Sequence, residues 1–132
     1  MAISNLQETL LMYAKEKSRL NLQFNDIQFN LASATKKTLA AQQQYNNKMS
    51  NYYYMYKGNM IFQDEYEDLC YQLEAEYEFN IKNIDSWEEQ LQLDKETLEL
   101  KLNEINANET SFRALLKKNI QSDFSYGGGQ GQ

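Results

Sequence analysis

No proline interrupts this chain of 132 residues, and apolar side chains recur along it at alternating steps of three and four. The first run is Ile3, Leu6, Leu10, Tyr13, Lys17, Leu20, Phe24, Ile27, Leu31, Ala34, Thr38, Ala41, Tyr45, Lys48 and Tyr52, of which twelve of fifteen are apolar or aromatic. Steps averaging 3.5 residues keep one stripe on one side of an α-helix, and a stripe sustained over seven heptads is a coiled-coil seam. Proline inside a helix costs about 3 kcal/mol, so helices this long require its absence. Ser4 with Gln7 three residues on reads as a capping box, which predicts a first helix over about residues 5–56. At 1.5 Å per residue such a helix would extend roughly 75–80 Å.

Gly58 is the one glycine before residue 127, and Asn59 follows it. The pair predicts a helix C-cap and a turn over about residues 57–63. Asp64 with Glu67 reads as the capping box of a second helix over about 64–121. Its seam is Tyr66, Cys70, Leu73, Tyr77, Ile81, Ile84, Glu88, Leu91, Lys95, Leu98, Leu102, Ile105, Glu109, Phe112 and Leu116. The two successive steps of four from Leu73 to Tyr77 to Ile81 form a stutter, which unwinds a supercoil locally. Just beyond it, Asp85 with Glu88 and Ser86 with Glu89 resemble fresh capping boxes. The second helix is therefore expected to kink near residue 85, with a true break there as the alternative. Gly127 to Gln132 reads as a flexible tail.

Charge selects the pairing of the helices. Residues 1–62 hold seven basic and three acidic side chains, and residues 63–132 hold six basic and sixteen acidic, so a half of +4 faces a half of −10 within a chain of net charge −6. A parallel pairing of two copies would set like charges side by side, whereas a hairpin sets opposite charges together. The expected fold class is therefore all-α, a long antiparallel helical hairpin of the coiled-coil type forming a single elongated domain over residues 1–126. Folding about residues 59 and 60 places position i opposite 119 minus i. That register brings Lys15, Lys17 and Arg19 level with Glu99 and Glu104, Lys48 with Glu67 and Glu74, Glu8 with Arg113, and Asp26 with Lys95.

Two groups of apolar residues lie off the seams and are candidate binding sites. Eight of the ten tyrosines fall within 33 residues around the turn, together with several methionines. Tyr52, Tyr53, Tyr54, Met55, Tyr56, Met60, Ile61 and Phe62 form the expected partner-binding tip, since tyrosine and methionine are typical recognition side chains. Consecutive Tyr52, Tyr53 and Tyr54 cannot all face one seam, although aromatic bulk that locks the turn explains part of the cluster equally well. The second group, Leu22, Phe29, Leu93 and Leu100, sits opposite the seams and is expected to bury against another chain. Isolated surface hydrophobes are the ordinary alternative.

Composition excludes much chemistry. Histidine is absent, which removes the commonest general base and metal ligand and any Glu-x-x-His metal site. The single cysteine, Cys70, falls on the second seam, where an inert buried thiol is expected in acidic surroundings. The carboxylates Glu65, Glu67, Asp68, Glu74, Glu76 and Glu78 read as a solvated face that complements the basic first half. No phosphate-binding glycine loop or nucleophile elbow occurs. An enzyme is not expected, and no cofactor or metal is implied. The lysines and Arg19 of the first half are matched by the second half, and the net charge repels phosphate, so nucleic acid is not an expected partner. Mean hydropathy is −0.77, and 27 of 132 residues are Asn or Gln. With no apolar span and no N-terminal signal pattern, the expected location is the cytoplasm, or outside it by a route without a cleaved signal.

These features suggest a non-catalytic structural or assembly protein that self-associates or docks a protein partner. A component, chaperone or substrate of a specialised secretion system is the alternative, on architecture. Flagellar and type III export stalks are proline-poor hairpins of similar size, and type VII substrates carry an aromatic-x-Gly turn that Tyr56-Lys57-Gly58 resembles. Tyrosine replaces tryptophan in that turn here, and no Tyr-x-x-x-acidic signal follows the second helix.

Overall fold

The computed structural model describes residues 2–130, with side chains for 2–124. The protein is an all-α hairpin of two helices packed against each other, α1 over Ile3–Lys57 and α2 over Gln63–Gln130. Every one of the fifteen seam positions on each helix is buried or half-buried. Leu6, Leu20, Ala34, Leu73, Leu91 and Leu98 are the most deeply buried of them. Two compact units result. One contains Met1–Asp26 and Asp94–Gln132, the other Ile27–Leu93.

Both capping boxes are displaced by an earlier helix start. The amide of Leu6 donates to the Ala2 carbonyl, so α1 starts at Ile3 and Ser4 lies inside the first turn instead of capping it. In the same way the Tyr66 amide donates to the Phe62 carbonyl at 2.9 Å. Phe62 is thus the last residue before α2, and Asp64 and Glu65 occupy its first turn, where carboxylates favour the positive end of the helix dipole. Glu67 accepts a hydrogen bond from Gln63 Nε2 at 3.2 Å, along its own helix.

The helix does not break at Asp85-Ser86, which α2 crosses without interruption. It also continues beyond the expected end near residue 121. Gly127, Gly128 and Gly129 stay helical because none takes the left-handed conformation that lets glycine end a helix. Residues 131 and 132 of the expected tail lie outside the described residues.

The register differs from the expected one by about one helical turn in the unit of Ile27–Leu93 and by nearly two in the other. In the unit of Ile27–Leu93, Tyr45 stacks on Tyr77 and Tyr56 on Tyr66, which sets i opposite 122 minus i. In the other unit Tyr13 packs edge-on to Phe112 with ring centres 5.6 Å apart, and Lys17 meets Glu109. The hinge lies nearer residue 61 than 59 or 60, and displacing a hinge by one or two residues moves opposing positions by twice as much. The ion pairs move accordingly. Lys17 Nζ donates to Glu109 at 3.3 Å in place of Glu99 or Glu104, while Arg19 pairs with Glu16 on its own helix. Arg113 Nε donates to Glu109 at 3.1 Å and Lys95 Nζ sits 5.7 Å from the Phe24 ring centre. Glu109, with a side chain only 15% exposed, thus holds two cations. These hydrogen bonds, Lys17 first, keep its carboxyl below the usual range against a smaller opposing effect of burial.

Candidate functional site

The turn between the helices, within the unit of Ile27–Leu93, is built on one backbone device. The Met60 amide donates to the Met55 carbonyl at 2.9 Å and the Asn59 amide to the Tyr56 carbonyl at 3.2 Å, the paired bonds of a Schellman motif. The left-handed residue this motif requires is Asn59, with φ of 57°, not Gly58. Asparagine is among the few side-chain-bearing residues that enter this region readily. Gly58 serves a different need, because a β-carbon there would approach the Tyr54 carbonyl oxygen to 3.1 Å.

This device divides the predicted tip residues in two. Tyr52, Met55 and Tyr56 are half-buried and Ile61 is only 9% exposed. Tyr56 stacks on Tyr66 with ring centres 4.8 Å apart and planes 11° from parallel. Below them, the Tyr45 and Tyr77 rings lie 4.5 Å apart. Tyr53, Tyr54, Met60 and Phe62 face outward, with exposures of 47%, 71%, 76% and 85%. Lys57 links the layers, its Nζ lying 5.7 Å from the Tyr53 ring centre and 5.8 Å from that of Tyr56. The cluster therefore has a packed aromatic base carrying an exposed apolar cap.

The Cys70 thiol is half-buried on the seam and hydrogen-bonds to Tyr66, and this contact, with burial, raises the Tyr66 phenol above its ordinary range. Among the described residues no three or more Cys, Asp or Glu side chains converge to hold a metal ion. Likewise, no helix among them is long and apolar enough to cross a membrane. The turn presents exposed rings, a thioether and hydroxyl groups to solvent.

The off-seam stripe is exposed at each predicted position. Phe29 and Leu93, in the unit of Ile27–Leu93, are 72% and 57% exposed. In the other unit Leu22 is 64% and Leu100 70% exposed. Two further residues belong with these groups: Tyr71, one of the eight tyrosines around the turn, is 76% exposed, and Phe79, which was not singled out, is 64% exposed. Their signal was present, since both fall between seam positions of α2. Trp87 is half-buried beneath Lys37, whose Nζ lies 4.7 Å from its ring centre.

No known protein family matches the chain, and neither do the curated proteins or the solved structures.

Proposed function

We propose that the protein is a non-catalytic structural and assembly component, which docks a protein partner or further copies of itself through the aromatic cap of its turn. The observation that carries this reading is the outward set of Tyr53, Tyr54, Met60 and Phe62, mounted on a base fixed by the Schellman bonds and the Tyr56–Tyr66 stack. Aromatic side chains contribute a large contact area for few rotatable bonds, and a fixed base lowers the ordering cost of binding. Water-exposed apolar groups concentrated in one place are the usual mark of an interaction surface. The absence of histidine supports the non-catalytic part of the reading.

The test compares the natural chain with Tyr54→Ser/Phe62→Ser. Helicity by circular dichroism should be unchanged, while solution mass above 15.6 kDa or retention of a purified partner should fall. Unchanged assembly and binding would remove the tip from the reading.

A role in specialised secretion is the second reading, favoured by the placement of Tyr56-Lys57-Gly58 at the helix end. Tyr56 lies in the last turn of α1 and Gly58 directly follows the helix end, as in an aromatic-x-Gly hairpin signal. Stoichiometric binding of the purified chain to a secretion ATPase or export-gate subunit would favour it over the first.

A further inference from the structure

Within the unit of Ile27–Leu93, each helix has an outer edge pointing away from its partner helix, and the two edges carry opposite charge. On α1, residues 27–57 contain four lysines and no carboxylate. On α2, residues 63–93 contain ten carboxylates and one lysine. Lys37 lies over Trp87, Lys57 over two tyrosines and Lys48 on the seam, which leaves Lys36 as the exposed cation of the α1 edge, whereas of the ten carboxylates only Glu88 is a seam position. Both edges also carry exposed rings, Phe29 on α1 and Phe79 on α2.

The register adds a geometric match. With i opposite 122 minus i, Lys36 lies level with Ser86, between the exposed carboxylates Asp85 and Glu89. Phe29 lies level with Leu93, and Phe79 with Gln43. A copy displaced sideways without rotation keeps these levels. Its α2 edge then meets the first copy's α1 edge with Lys36 between two carboxylates and an aromatic ring on each side of that contact.

We propose that the α1 edge of this unit docks on the α2 edge of a second copy, so that hairpins associate side by side in one orientation. The proposal rests on the assembly reading above and names a second copy as the occupant of these edges. The two edges are different surfaces, so the contact is heterologous, and each added copy leaves one edge of each kind open. Growth is therefore not closed at a dimer.

The test is sedimentation or light scattering of the full chain over a wide concentration range, with helicity checked by circular dichroism. The mass of the natural chain should rise above 15.6 kDa with concentration and pass the dimer value. Lys36→Glu alone should stay monomeric, because like charges then meet at the contact, and so should Asp85→Lys/Glu89→Lys. An equimolar mixture of the two should regain growth, since each variant's altered edge complements the other's. A natural chain that remains monomeric, a mass that stops at the dimer, or a mixture that fails to regain growth would each overturn the proposal. Tyr54→Ser/Phe62→Ser separates it from the reading on which it rests. In that variant the mass should fall only by what the tip contributes and should still rise with concentration past the dimer; growth abolished by it and unaffected by the charge variants would place assembly at the tip and refute the edge contact.

Discussion

Leu20 and Leu22 lie two residues apart on α1, yet the first is 0% exposed and the second 64% exposed. Leu20→Ala removes three carbon atoms from the seam, worth about 0.8 kcal/mol each in transfer, or roughly 2.4 kcal/mol. The unfilled space adds to this, so a total of about 3–5 kcal/mol is expected. Leu22→Ala removes the same atoms from a site already largely in water, loses about a third of the transfer value, under ~1 kcal/mol, and leaves no cavity. Urea unfolding followed by circular dichroism at 222 nm measures both. With a slope of about 1–3 kcal/mol per molar urea, Leu20→Ala should lower the midpoint by roughly 1 M or more, several times the shift of Leu22→Ala. Leu20→Met, which preserves volume, should cost less than about 1.5 kcal/mol and guards against a variant too unstable to measure. Measurements at two protein concentrations keep self-association out of the comparison. Equal shifts for Leu20→Ala and Leu22→Ala would refute the packing of α1 through this seam.

Three other perturbations address the turn, the register and the seam charges. Asn59→Val should cost about 1–2 kcal/mol, because a β-branched side chain resists the left-handed conformation, whereas Asn59→Gly should be near neutral in the same urea assay. A double-mutant cycle of Tyr45→Ala and Tyr77→Ala should give a coupling of about 0.5–1.5 kcal/mol, and zero coupling would contradict the 122-minus-i register. Glu109 has a lowered folded pKa, so its contribution to stability is present above the ordinary carboxylate value of about 4.5 and is lost as pH falls through the folded value. Thermal unfolding between pH 6 and pH 2.5 should accordingly show a weaker acid dependence in Glu109→Gln than in the natural chain; parallel curves would argue against that ion pair.

How much of this was legible in the sequence depended on the range of the signal. The seams were fully legible, because a 3,4 spacing over fifty residues leaves one stripe that can be removed from water, and Leu6, Leu20, Leu73 and Leu98 lie on it. The stripe of Leu22, Phe29, Leu93 and Leu100 was legible for the same reason in reverse. Caps were not, because Ser4 with Gln7 and Asp64 with Glu67 fit the pattern of a box while the backbone started its helix earlier. A cap motif is worth about 1 kcal/mol, little enough for other local contacts, such as those of half-buried Ile3, to override. Within the tip, composition located the cluster but could not divide it. Which of Ile61 and Phe62 points outward depends on the turn beyond the end of α1.

The chain by itself determined two long helices, their apolar seams and, through opposite charge, their antiparallel pairing. These follow from periodicity and summed charge, which survive small errors of position. Tertiary structure alone decided the register and the division of the turn. It put Asn59 in the left-handed conformation and moved the hinge toward residue 61. From that followed the pairing of Tyr56 with Tyr66 and the exposure of Tyr54, Met60 and Phe62. The physical reason is leverage: a fold-back doubles any displacement of its hinge, so a few backbone hydrogen bonds at the turn set which side chains meet within the unit of Ile27–Leu93.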